Sequence, residues 1–296
     1  MGTVTLEGTQ MREELARGQD AAAVAAAMAA RASGENFPVA LRMLPASQRH
    51  HLMAVYGFAR MTDDTGDEAP PAERLGLLDE IAADLALVED GRARLPAVRA
   101  LRPVIAECGV PVQLFADLIQ ANRQDQCVSR YQSFDDLVGY CKLSANPVGR
   151  IVLYVFGAYS ARRAELSDRV CTALQLAEHW QDIAEDCRAG RIYLPQDDLT
   201  AFGCTEPELA AAAAGPQLRA LVEFEVRRAR TIIDSGAPLV GTLRGFARLA
   251  VAGYVAGGRA ALAAISAAGH DVLGGPPAPR KPRLAAELLR AYVTGR

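Results

Sequence analysis

The chain has 296 residues, half of them apolar, with a formal net charge of −3. That length supports one large domain or two small ones around an apolar core, and the near-neutral balance lacks the basic surface of a nucleic-acid binder, so no nucleic acid is expected as a partner. Six cysteines, at 108, 127, 141, 171, 187 and 204, form no C-x-x-C pair; they read as free thiols in a reducing cytoplasm.

From the N-terminus, MGTVTLEGTQMREELARGQD mixes acidic and basic residues without an apolar core, which does not fit a secretory signal. Residues 1–33 read as an extension of one domain that fills 1–296. Helix-period patterns follow at 10–32, 46–63, 72–90, 97–107, 111–126, 134–143, 147–158, 165–187, 206–214, 217–235, 239–267 and 284–293. Proline and glycine punctuate them, at Pro70-Pro71, Gly190, Pro195 and Gly215-Pro216 among others. No segment alternates for long enough to predict a sheet. The fold class is therefore all-α, a single-domain helical bundle.

The most apolar windows, 137–159 and 246–268, contain Lys142, Arg150, Arg248 and Arg259. A membrane span needs about 20 mostly uncharged residues, so both read as buried helices, lining an apolar cavity. GGPPAPRKP (274–282) is a linker. The helix after it, LAAELLRAYV (284–293), reads first as packing back on the core and second as a peripheral membrane contact at the inner face.

Nucleotide-loop and nucleophile-elbow motifs are absent. The four histidines have no zinc spacing, and His50-His51 reads as a solvated or capping pair. The chemistry gathers elsewhere. MTDDTGDEA (61–69) holds Asp63, Asp64, Asp67 and Glu68, with Asp63 and Asp67 four apart on one helix face. Like charges at that spacing cost a helix about 0.2–0.5 kcal/mol per pair, and Gly66 adds up to about 1 kcal/mol. Something positive should offset them. EHWQDIAEDCRAGRIYLP (178–195) repeats the pattern with Asp182 and Asp186, with Glu178 one turn earlier. Carboxylates on facing helices suit Mg²⁺, which commonly bridges to substrate phosphates. Arg60, Arg188 and Arg191 supply nearby positive charge. The bland alternative is surface acid paired with arginine, and the matched spacing of two clusters weighs against it. The two clusters are expected to face each other across one pocket.

With those residues in view, the chain resembles the squalene/phytoene synthase family, head-to-head prenyl transferases with the all-α isoprenoid synthase fold. FARMTDDTGDE is similar to the family's first aspartate-rich motif, YCKLSANPVG (140–149) to its central motif, and LQLAEHWQDIAEDCRAGRIYLP (174–195) to its second. The resemblance implies that Asp63, Asp67, Asp182 and Asp186, with Glu178, hold a Mg²⁺–diphosphate cluster. It places Arg60 and Arg191 on the diphosphate and Tyr140 by the reacting carbons. Asn36, Phe37 and Tyr56 fall where the family lines its prenyl channel, Gln175 matches the glutamine seven residues before the second motif's first Asp, and Tyr254 matches more loosely. Two departures stand out: Glu178 where many members have Asn, and Gln181 where they have Arg.

The run Ser144-Ala145-Asn146-Pro147-Val148-Gly149, with ENFPVA (35–40) and Trp180-Gln181-Asp182, resembles the branch that ionises presqualene diphosphate and quenches the cation with water. That branch makes Asn146 a candidate to position the water, although an Asn before Pro is as readily a helix cap. The resemblance implies a prenyl diphosphate substrate and handover partners in the same pathway. Alternatives are synthesis of presqualene diphosphate, squalene, dehydrosqualene or phytoene, with NADPH use open, and a non-enzymatic assembly role on the same fold.

Overall fold

The structure, a computed structural model, describes residues 44–296. The expected helix at 10–32 and the candidates Asn36 and Phe37 lie outside the described residues. Among these, helices account for the regular structure, and a single parallel bridge joins Arg130 to Ile192. The chain divides into two compact units, the first ending at Cys127 but including Ile151–Ala158, the second comprising Val128–Arg150 and Tyr159–Arg296.

In the first unit, α1 (Ala46–Asp67) packs with α2 (Arg74–Leu85), α4 (Leu101–Cys108) and α5 (Val112–Asp125), with the short α3 (Pro96–Arg99) between. Leu52, Val55 and Phe58, three residues apart, and Thr62, four further on, are buried, as the period of an amphipathic helix requires. Phe58 meets Phe115 of α5 edge to face, 5.5 Å between ring centres. Buried Asp84 takes the backbone N–H groups of Arg94 and Leu95 at 2.7 and 2.8 Å, closing the loop into α3. His51 departs from the solvated reading. Its Nδ1 lies 3.3 Å from Cys108 Sγ and its Nε2 3.2 Å from Glu107, so packing against α4 has taken it out of bulk water.

In the second unit, α6 (Phe134–Ser144) begins with a reciprocal Ser133–Asp136 capping box. It is followed by α7 (Asn146–Val155), which belongs to this unit as far as Arg150, and by α8 (Ala161–Gln181), α9 (Ile183–Arg188), α10 (Gln196–Phe202), α11 (Pro216–Gly236), α12 (Leu239–Thr242), α13 (Gly245–Ala267) and α14 (Lys281–Thr294). The core is built where α8, α11 and α13 pack on one another. Gly236 lets α11 approach α8 closely: a Cβ there would lie 2.8 Å from the Leu166 carbonyl and 2.9 Å from the Val170 nitrogen. Across the same unit Arg228 binds Asp198 at 2.8 Å and fully buried Glu225 at 3.1 Å.

Several helices differ from the sequence expectation: 97–107 divides at Ala100, and Gln196–Phe202 is a helix that was not expected. The segment 165–187 breaks at Asp182, whose φ and ψ are −103° and 15°. The segment 239–267 breaks between Thr242 and Gly245, and 206–214 is a 3₁₀ turn over Glu206–Ala210. The membrane expectation also needs revision. Helix α13 is long and apolar enough to cross a membrane by length and composition, yet 67% of its most apolar window is buried in the protein. Two arginines within 23 residues did not lower its mean hydropathy enough to exclude it, and its burial is that of a core helix. All six cysteines are free.

Candidate active site

The first acidic set sits at the C-terminal end of α1, which runs through Asp67 rather than stopping at 63. Arg60 is offset toward Asp64, 2.8 Å away, and Glu68, 3.7 Å away, instead of Asp63 and Asp67. The partner of Asp63 is Asn122 of α5, whose Nδ2 donates to it at 3.0 Å and to the Leu118 carbonyl at 3.2 Å. Gly66 makes this possible. A Cβ there would overlap Asn122 Oδ1, so glycine lets α5 close on the acidic turn. Gln126 and Arg74 take up the terminal carbonyls: Gln126 Nε2 donates to Gly66 O at 3.1 Å and Arg74 Nη2 to Asp67 O at 2.7 Å. These four groups offset the helix-end charge that the sequence left unbalanced. Although solvent reaches Asp63, the surrounding protein raises its pKa by desolvation, against the Asn122 bond, which lowers it, while Asp67 raises it further. Tyr56 lies on the same helix, one turn before Arg60.

The second set lies at the α8–α9 junction. Backbone bonds from Asp182 N to Glu178 O at 3.0 Å and from Asp186 N to Asp182 O at 2.9 Å carry the four-residue spacing through the break. Burial pushes the Asp186 carboxyl up to about 7; Arg191 opposes the shift, while Asp182, Glu185 and Glu178 add to it. Asp182 is raised as well, by burial first and Glu185 second. Asp186 and Arg191 line a small pocket with His179, Ile183 and Tyr193. Arg130 holds the turn beneath, donating to Gly190 O at 2.7 Å and pairing with Glu206. Gln181, standing where an arginine was expected, spends its amide on the Pro277 carbonyl at 2.9 Å and so ties the motif to the linker.

An aromatic cluster borders this set. His179 stacks on Tyr193 with ring centres 3.7 Å apart, and Tyr140 lies 5.8 Å from Tyr193 and 5.6 Å from Tyr131. Gln175, one turn before His179, approaches its Nε2 at 3.3 Å. Burial, assisted by Arg191, lowers the His179 pKa to about 3, so the ring is neutral and acts as an aromatic face. Trp180 is fully buried, and among the described residues its Nε1 has no hydrogen-bond partner. Tyr254, on α13, has its phenol pKa raised by burial. Asn146 opens α7 after a break at Ala145, so it does not share a continuous helix with Tyr140. It is buried, and its Oδ1 accepts from Thr172 Oγ1 at 3.0 Å.

Sequence reasoning missed Asn122, Tyr131, His179 and Tyr193 as site neighbours. Tyr193 was within the quoted second motif and its aromatic character was the available signal. Asn122 offered none, because it is 59 positions from Asp63.

Among the described residues, no three His, Cys, Asp or Glu side chains are gathered as a preformed metal cage. Burial above all, with the neighbouring carboxylates adding to it, nevertheless lifts the Asp186 carboxyl well above its ordinary range. Carboxylates that strain against one another, with open sides, fit a cation that keeps part of its shell as water or phosphate, as Mg²⁺ does. Asp182 and Asp186, with Glu178, fit that description.

A sequence model of the squalene/phytoene synthase family matches residues 30–286. A hydroxysqualene synthase of Sinorhizobium fredii is 36% identical over 215 residues, 72% of each chain. A phytoene synthase of Mycobacterium tuberculosis is 32% identical over 214 residues, 71% of this chain and 70% of its own. Among solved structures, squalene synthase HpnC from Alicyclobacillus acidocaldarius aligns with a TM-score of 0.73 at 36% identity, covering 90% of this chain and 95% of that one.

Proposed function

The chain belongs to the squalene/phytoene synthase family, and from that membership we propose that it is a hydroxysqualene synthase. In this reading presqualene diphosphate ionises, its carbon–oxygen bond breaking with the electron pair leaving on diphosphate. Water then adds to the cation, and the proton it loses goes to diphosphate or solvent. The observation that carries the proposal is the 36% identity, over 72% of both chains, with a hydroxysqualene synthase. Membership itself makes the chain an enzyme that processes prenyl diphosphates.

The residue roles belong to the same proposal. Glu178, Asp182 and Asp186 would hold Mg²⁺ in the second unit, and Asp63 and Asp67 would do so in the first. Bound Mg²⁺ supplies charge neutralisation to the departing diphosphate. Arg60 and Arg191 add fixed positive charge, and the raised pKa of Asp186 supports a site built to receive more. Tyr140, with Tyr193 and neutral His179, offers aromatic faces to a cation. Tyr56, Gln175 and Tyr254 belong to the substrate's surroundings. Thr172 fixes the carboxamide oxygen of Asn146, leaving its nitrogen to hold a water. Six free cysteines support a cytoplasmic setting.

The second reading, head-to-head synthesis of a hydrocarbon, is favoured by the 32% identity with a phytoene synthase. Purified protein incubated with presqualene diphosphate and Mg²⁺, with and without NADPH, separates the two by mass spectrometry. An alcohol formed without NADPH is the expected product. Squalene appearing only with NADPH, and no alcohol, would establish the second reading instead.

A further inference from the structure

Helix α14 packs on α13 through Ala291, which is fully buried, and through half-buried Leu284 and Leu288. That face covers the apolar demand of an ordinary surface helix. The opposite face should then be polar. Instead Leu289 and Val293, four residues apart and so on one face, are 65% and 68% exposed, the highest values among the exposed large apolar side chains of the described residues. Ala285 and Ala286 extend the strip one turn back, and Tyr292, 41% exposed, stands at its C-terminal end. The helix does not dangle. Arg248 donates to the Tyr292 carbonyl and stacks over its ring at 5.1 Å, and Gly241 N donates to Gly295 O at 2.9 Å.

Charge selects the occupant. On a helical projection Arg283 and Arg290 border the strip on one side and Lys281 on the other, and all three are exposed. Arg280 precedes them. Glu287, the helix's one carboxylate, is half-buried and turned from the strip. This cationic rim sits on a chain whose net charge is −3. A second copy meeting this face would oppose like charges, whereas a negatively charged bilayer accepts both the rim and the apolar strip. We propose that the outward face of α14 is a docking surface for an anionic lipid bilayer. The site goes beyond the proposed reaction and does not depend on it.

The test is flotation of the full chain with vesicles of phosphatidylcholine alone or mixed with phosphatidylglycerol. Binding to the mixed vesicles only, weakening as salt is added, is the expected result. Leu289→Ser/Val293→Ser should reduce partitioning about tenfold or more, and Arg283→Glu/Arg290→Glu should remove its salt dependence. Circular dichroism should stay unchanged, because these side chains face solvent. Failure of the native chain to bind anionic vesicles, or equal binding by both variants, overturns the proposal. So does native self-association in sedimentation that the Leu289/Val293 variant abolishes, since a second copy would then be the occupant.

Discussion

Glu225 is fully out of solvent on α11, and the guanidinium it meets, Arg228, is shared with Asp198. Burial raises its pKa to about 8; Arg228 opposes the shift, and Asp198 adds to it. A carboxyl with a higher pKa folded than unfolded binds protons more tightly in the native state. Its contribution is therefore complete below about pH 4.5 and is lost as pH rises toward 8. Glu225→Gln should match the native chain in acid and exceed it at pH 9 by about 1–4 kcal/mol, read from urea midpoints across pH. Parallel pH curves for the two proteins would show that Glu225 is ionised in the fold. Asn146 is the other residue that invites replacement. Asn146→Gly should still release diphosphate from presqualene diphosphate while the products shift from the alcohol to eliminated or rearranged hydrocarbons. An unchanged alcohol at normal rate would leave Asn146 a purely structural partner of Thr172.

Between helices, two glycines mark close approaches of different stiffness. At Gly66 the obstructing atom is the tip of Asn122, which can swing away at the loss of its bonds to Asp63 and Leu118. At Gly236 the obstruction is the backbone of Leu166 and Val170, and α8 and α11 must move apart. Gly236→Ala should therefore cost on the order of 1–3 kcal/mol after any gain in helix propensity, and more than Gly66→Ala. Denaturation midpoints test this, and a Gly236→Ala protein as stable as the native chain would refute the close approach. The same scale shows what a reader of the sequence could see. Periodic apolar residues located nearly every helix, because burial itself imposes that period. The gap around Ala145 was legible, with Pro147 as its signal, whereas the break at Asp182 was hidden, since aspartate is no strong breaker and its backbone bonds keep helical spacing. The aspartates of the site were legible as paired carboxylates. Their stabilisers, Asn122 and Arg74, were not, because tertiary packing rather than local spacing brings them in.

The whole molecule consists of two compact units, and we propose that they form one domain that unfolds as one. The means of testing this is already in the chain. Trp180 is its single tryptophan and is fully buried in the second unit. Shielded from water, its indole should fluoresce at short wavelength and shift to the red when that unit opens. Far-ultraviolet dichroism follows the helices of both units together. Coincident urea transitions by the two probes are the expected outcome for one cooperative domain. A fluorescence transition that precedes or trails the dichroism would instead identify the units as separate folding bodies. The lone indole thus makes the protein an optical recorder of one half of itself, with no dye attached.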